Sequence, residues 1–191
     1  MDINLVQENI KYALDEHHYA IATVQNMGDQ LGESVSRMSR VLAYGGRIFV
    51  CGNGGSAADA QHFASELTGR FEKDRRGYAA IALTTDSSAL TAIGNDFGFE
   101  FVFSRQLEAL SRRGDLLLAI STSGNSVNVV QAVNYAHNHE LHSIGLLGRD
   151  GGKIAGMVDL PLIVPVQSTA RIQEAHIFIL HLLCKLLETE A

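Results

Sequence analysis

Long apolar runs are missing from this sequence. The longest, such as Leu116 to Ile120, are far too short to span a bilayer. The opening Met1-Asp2-Ile3-Asn4 is acidic and polar, with no apolar stretch of a secretory leader behind it. A cytoplasmic protein with no membrane partner is expected. Cysteine is almost absent: Cys51 and Cys184 are the only two, and no CxxC pair occurs. That excludes a disulfide framework and reads as two reduced, buried thiols, with a catalytic cysteine as the other reading. Positive charge is short as well, with 15 Lys and Arg against 21 Asp and Glu and a formal charge of −6. The densest basic cluster is Lys73, Arg75 and Arg76, and no basic stripe exists, which argues against nucleic acid as a direct ligand. Only 2 prolines accompany 18 glycines, and no low-complexity tract interrupts the chain, so disordered and fibrous classes are excluded too.

What is present is globular: 46% apolar and 19% charged residues in 191 positions, enough for one sizeable domain over 1–191. Residues 1–44 alternate apolar and polar at helical spacing, with a break expected near Gly28 and Gly32, so one or two amphipathic helices should precede the first strand. From 45 to 191 the pattern is α/β. Short β-branched or Leu-rich runs at Arg47 to Cys51, Ala80 to Leu83, Leu116 to Ile120, Ser143 to Leu147 and Leu160 to Val164 are each followed by small residues and a helical stretch. Five strands in this order imply a parallel sheet flanked by helices. A last helix from about Thr169 to Glu188 carries Ile172, Ile177, Ile179, Leu180, Leu182, Leu183, Leu186 and Leu187 around much of its circumference. Such a surface is buried on several sides, partly in the core and partly at a subunit interface.

Two strands end in similar loops, Cys51-Gly52-Asn53-Gly54-Gly55-Ser56 and Ser121-Thr122-Ser123-Gly124-Asn125-Ser126. Parallel strands bring both to the carboxyl edge of the sheet, where helix N-termini offer unpaired N–H groups and positive dipole ends. The hydroxyls of the second loop add hydrogen-bonding capacity of phosphate size, so a phosphorylated small molecule is the expected guest. Glycines and serines also make ordinary turns and N-caps, which is the plainer reading of either loop alone. Gly52-x-Gly54-x-x-Ala57 fits the dinucleotide fingerprint as well. Its acidic partner is poorly placed, however: Glu72 and Asp74 come before the second strand, and Asp86 comes too late in sequence. No GxxxxGK[ST] occurs, which removes a P-loop nucleotide triphosphatase.

His62 and Glu66 lie four apart, about 40° from each other on one helix face, where they can share a proton or a metal. An ordinary surface pair is the plainer reading. The last helix carries Gln173, Glu174, His176 and His181, and His181 sits in Ile179-Leu180-His181-Leu182-Leu183, where an imidazole needs a partner. A hydrogen-bonded core histidine is the default for it.

Cys51 to Phe71 (CGNGGSAADAQHFASELTGRF), with Leu83-Thr-Thr-Asp86, Gly94-Asn95-Asp96, Ile120 to Ser126, Gly148-Arg-Asp-Gly-Gly152 and Ala170-Arg-Ile-Gln-Glu174, resembles the bacterial phosphoheptose isomerases over nearly everything from residue 46 onward. The resemblance implies a sugar isomerase (SIS) fold, a homotetramer, and conversion of sedoheptulose 7-phosphate, a phosphorylated seven-carbon sugar, to D-glycero-D-manno-heptose 7-phosphate. That product is the precursor of the heptose in bacterial surface polysaccharides such as lipopolysaccharide. It further implies substrate contacts at Asn53, Gly54, Gly55, Glu66, Asn95, Asp96, Ser121, Thr122, Ser123, Ser126 and Gln173, with catalysis by Glu66 and His181. One zinc ion per site, on His62, Glu66, Gln173 and His181, comes with the same resemblance.

These residue types suit the chemistry, because moving a proton between C1 and C2 through an enediol needs a base and an acid. Zinc would polarise the carbonyl, although a carboxylate bound to it would be a weaker base. Gln173 and His181 are separated by roughly 12 Å of helical rise and about 80° of rotation, so one metal barely reaches both. The C-terminal helix of a neighbouring subunit is therefore expected to supply one ligand. Ala170 departs from members with Asp at that position, so no proton-path role carries over there. SIS relatives that act as adaptors for a replication initiator protein share CGNGGSAA and RIQE and form the second reading. Such an adaptor, like a sugar-phosphate sensor, needs neither Glu66 nor His181.

Overall fold

The computed structural model describes residues 2–190 and the side chains of 2–189; Met1 and Ala191, the ends of the expected domain, lie outside the described residues. Five parallel strands, β1 (Ile48–Cys51), β2 (Ala80–Ala82), β3 (Leu116–Ser121), β4 (His142–Gly148) and β5 (Leu160–Val164), form one sheet in the order β2-β1-β3-β4-β5. Cys51 pairs with Ala119, and Ser121 with Leu147, so β3 and β4 run slightly past β1 at the carboxyl edge. Every residue of β1 and β3 is buried. This is why both read as unbroken apolar runs: helices cover both faces, and neither face needs polar residues.

Alternation divides the core in two. Ile48, Val50, Leu118, Ile120, Ile144 and Val164 point to one side. They meet α2 (Gly28–Ala43), α3 (Gly55–Thr68) and α8 (Thr169–Glu190) through Val35, Met38, Phe63, Leu67, Ile179 and Leu183. Phe49, Cys51, Leu117 and Ala119 point to the other, against α5 (Ser104–Leu110), α6 (Val127–Asn138) and α7 (Gly152–Ala155) through Leu107, Val129, Val133 and Ile154. Truncating a fully buried residue such as Leu118 to Ala costs about 2–5 kcal/mol.

The N-terminal break falls slightly earlier than the glycines suggest. After α1 (Ile3–Thr23), Val24–Met27 form a 3₁₀ turn, Gly28 opens α2, and Gly32 lies inside it. Burial of Leu31, Val35 and Met38 at helical spacing holds α2 together through that glycine. α8 runs two residues past its expected end and packs on α1, α2 and α3, while Phe178 and Leu186 stay exposed. α4 (Ser87–Asp96), which follows β2, is capped by Asp86, whose Oδ1 accepts from Ala89 N at 2.9 Å. The carboxylate best placed topologically for a dinucleotide ribose is therefore occupied. No helix among the described residues is long and apolar enough to cross a membrane.

Candidate active site

In the order 2-1-3-4-5 the chain reverses direction of winding between β1 and β3, and the carboxyl side of that point is where open α/β sheets bind ligands. Both glycine and serine loops belong to these two strands, so they stand side by side. Neither helix start is capped by its own N-cap side chain, which leaves its first N–H groups open to a ligand. Gly54 at the start of α3 has no side chain, and Ser126 at the start of α6 turns its Oγ to Ser121 Oγ at 3.2 Å instead of to its own helix. The second loop is braced from behind. Gly124 has φ +63°, and a Cβ there would run into the Gly151 carbonyl, so only glycine permits the loop to pack on the turn after β4. Ser123 Oγ accepts from Asn125 N at 3.2 Å, and Asn125 Oδ1 accepts from Lys153 N at 3.1 Å.

Between the loops lies a cavity of about 510 Å³ bordered by Asn53, Phe99, Glu100, Ser126, Val127 and Asn128. A larger recess of about 600 Å³, bordered by Ser39, Arg76 and Tyr78, sits before β1 and β2, at the opposite edge of the sheet. It contains none of the site residues that the resemblance implies.

α3 and α8 run side by side in the same direction. Near their N-termini Gln173 presses on Gly55, where a methyl group would overlap its carboxamide. Two turns further on, His62 Nε2 and His181 Nε2 are 3.0 Å apart, and His62 Nε2 is 3.3 Å from Glu66 Oε1. One ring must donate and the other accept, so a proton is already shared between the helices. His181 also stacks on Phe71, with ring centroids 5.6 Å apart. Arg171 and Glu174, from the same segment as Gln173, serve the scaffold instead: Glu174 pairs with Arg171 at 2.9 Å and with His17 of α1 at 2.7 Å.

The core histidine expected at position 181 is found at 176. His176 is fully buried, contacts the Leu147 carbonyl at 3.1 Å through Nε2, and leaves Nδ1 without a partner among the described residues. Burial pulls its pKa down to about 4, only partly opposed by that carbonyl, so it is neutral at pH 7. His181 instead leaves the core at the edge of α8 and reaches His62. Burial pushes the Cys51 and Cys184 thiols up to about 12, which suits inert packing and not a nucleophile. Asp59, between the first loop and His62 on α3, is raised to about 6 by burial, with His62 pulling the other way, and its Oδ2 is buried without a partner among the described residues.

Within one chain, then, Asn53, Gly54, Gly55, Ser121, Thr122, Ser123, Ser126 and Gln173 gather at the loops, and His62, Glu66 and His181 gather further along α3. Asn95 and Asp96 close α4, exposed, with Asn95 Nδ2 donating to Asp96 Oδ1 at 2.8 Å. Tetrahedral zinc ligands bound at about 2.0–2.2 Å stand roughly 3.3–3.5 Å from one another, close to both distances at His62. Among the described residues no three His, Cys, Asp or Glu side chains already converge as a cage, so the donor set fits a metal pairwise. Two further residues escaped the sequence reading. Asn128, one step inside α6, exchanges two amide hydrogen bonds of 2.8 Å with Asn53. Glu188, near the end of α8, is buried. Neither has a motif around it; the neighbouring serine loop was the one available hint for Asn128.

Residues 15–148 match the SIS domain family. The chain is 49% identical over 185 residues to a phosphoheptose isomerase from Helicobacter hepaticus, covering 97% of this chain and 94% of that protein. It is 58% identical over 160 residues to one from Neisseria meningitidis serogroup C, covering 82% and 81%. The structure of a phosphoheptose isomerase from Neisseria gonorrhoeae superposes with a TM-score of 0.92 at 49% identity, over 96% of this chain and 99% of that one. With these identities over nearly the full length of such relatives and a matching SIS domain, the chain belongs to the phosphoheptose isomerase family of SIS domain proteins.

Proposed function

We propose that the protein is an aldose–ketose isomerase that converts sedoheptulose 7-phosphate to D-glycero-D-manno-heptose 7-phosphate through an enediol, with Glu66 as base and His181 as acid or ring-opening group. The observation that supports it most is the meeting of His62, Glu66 and His181 two helical turns from the paired loops. α3 rises about 10 Å between Gly55 and His62, comparable with the length of an extended seven-carbon chain carrying a terminal phosphate. Phosphate at Ser121, Thr122, Ser123 and Ser126 and the sugar along Asn53, Gly54, Gly55 and Gln173 would bring C1 and C2 to the histidines. Glu66 is then placed to move a proton between those carbons while an imidazole serves the neighbouring oxygens. A protein-binding adaptor has no use for such a cluster.

A zinc ion at this place would be held by His62, Glu66 and His181. When bound it supplies Lewis-acid polarisation of the sugar carbonyl. Gln173 sits beside Gly55 in its own chain, so its joining the same ion would call on the C-terminal helix of a neighbouring subunit. A homotetramer in the cytoplasm is part of this reading, and the apolar residues Ile3, Leu5, Ile10 and Leu14 that α1 leaves exposed support a subunit interface. Asn95 and Asp96 would meet substrate as the resemblance implies.

The enediol step is tested by running the reaction in D₂O and reading the aldose by NMR. Proton transfer through a carboxylate open to solvent places deuterium at C2. Product free of solvent deuterium would point to hydride transfer and remove Glu66 from its role.

A further inference from the structure

Glu188 is a carboxylate that the reaction does not use, yet its side chain is 2% exposed. Its Oε1 accepts from Phe71 N at 3.0 Å and Arg75 Nε at 2.9 Å, and its Oε2 accepts from Glu72 N and Lys73 N, both at 2.9 Å. Lys73 Nζ donates to the Glu188 carbonyl at 2.7 Å. Three successive backbone N–H groups closing on one carboxylate form an anion nest, filled here by the protein's own side chain. Burial alone would raise this carboxyl, but the three N–H groups and Arg75 outweigh it and hold it near 2, so it is charged at all working pH values.

The partners of Glu188 lead into the site along two routes. Arg75, held by Glu188, also donates to the Glu66 carbonyl at 3.0 Å and the Leu67 carbonyl at 2.9 Å, and its guanidinium lies 4.0 Å from the centre of the Tyr78 ring. It therefore ties the last turn of α3, at the residue carrying the proposed base, to the last turns of α8. Phe71, whose N–H is in the nest, stacks its ring on His181. The clamp lies 117 residues from Phe71 in sequence and the histidine contact spans 119, so the two fix α3 and α8 in one parallel register.

We propose that Glu188 is a positioning residue for the isomerisation: through Arg75 and Phe71 it sets the backbone of Glu66 and the ring of His181. This rests on the roles assigned to Glu66 and His181. Small displacements of reacting groups weaken turnover far more than substrate binding when the phosphate is held elsewhere.

The test measures kcat and KM for sedoheptulose 7-phosphate in Glu188→Gln, Phe71→Leu and the double variant, with far-UV circular dichroism to check folding. Gln keeps the shape but turns an NH₂ toward N–H donors. Glu188→Gln should lower kcat by about tenfold with KM within about twofold. Phe71→Leu, which leaves the nest's backbone donors intact, should act in the same direction. The double variant should lose less than the product of the two single losses, because both variants break the Phe71 route to His181. Full turnover in folded Glu188→Gln, or losses that multiply, would overturn the proposal. If Glu188→Gln does not fold, Arg75→Lys decides, keeping a charge on Glu188 while removing the second arm to Glu66. A loss of kcat supports the clamp, and unchanged kcat overturns it. Glu66→Gln, measured alongside, separates the two levels: if it keeps turnover, the assignment of the base has failed rather than the clamp.

Discussion

Asn53 and Asn128, 75 residues apart in the chain, face each other across the switch point and exchange two hydrogen bonds of 2.8 Å, Nδ2 to Oδ1 in each direction. Asn128 is buried, and its Oδ1 also accepts from Val129 N at 3.0 Å. The pair spends one donor and one acceptor of Asn53 and holds the first loop against the start of α6. The spacing of the two glycine- and serine-rich loops is thereby set by side chains as well as by the sheet.

Asn128→Leu tests that role. It keeps approximate size, removes both bonds and leaves Asn53 without its partner, at a cost of about 1–3 kcal/mol in stability. KM for the sugar phosphate should rise by roughly tenfold, with kcat changed less than about threefold, because a loosened loop weakens ground state and transition state alike. Steady-state kinetics checks it; an unchanged KM would detach the pair from substrate binding.

Glu66→Gln should leave the fold intact and lower kcat by roughly 10²- to 10⁴-fold, the usual worth of a positioned acid or base. The side chain is partly exposed and contacts His62, so little of the core depends on it. Single-turnover and steady-state rates measure the loss, and near-normal turnover would assign the proton transfer elsewhere.

Ser123→Ala acts at the other end of the site. Its Oγ accepts only a long bond of 3.2 Å from Asn125 N, so the loop should survive the change. The account expects a raised KM and nearly constant kcat. If KM stays the same, phosphate does not use this hydroxyl.

His176 predicts a pH effect on stability rather than on activity. Its folded pKa of about 4 lies below the ordinary histidine value of 6.5, so between those values the unfolded chain binds a proton that the folded chain refuses. Stability from this group is complete above about pH 6.5 and falls as pH drops toward 4, by on the order of 3 kcal/mol. Asp59, raised to about 6, works in the opposite sense, since the folded chain keeps its proton up to a higher pH. Comparing urea unfolding of the protein and of His176→Gln at pH 7.5 and 4.5 cancels the Asp59 contribution. The stability difference between the two should move toward the variant at the lower pH; a constant difference would mean that the imidazole is not buried neutral.

The strands were legible because burial on both faces writes itself as short apolar runs, and β5 begins and ends at the residues expected. The position of the two loops was legible because Gly and Ser between a strand and a helix mark a tight turn and a helix start. Long-range polar pairing leaves no such trace: Asn128 looks like any helix residue, and Glu188 like a surface acid near a chain end, until partners 75 and 113–117 residues away come into contact. The same limit explains the exchange of histidines. His176 and His181 both have apolar neighbours, but His176 shares a helix face with the buried Ile172 and Ile179, whereas His181 lies where α8 faces His62 of α3. Periodicity alone does not say which face of a helix apolar nearly all round meets the sheet.

The central claim is tested most directly by aldose formation from sedoheptulose 7-phosphate with purified protein, before and after treatment with a chelator and after readdition of zinc. The account predicts turnover that the chelator abolishes and zinc restores. Folded protein that forms no aldose in any of the three conditions would contradict it.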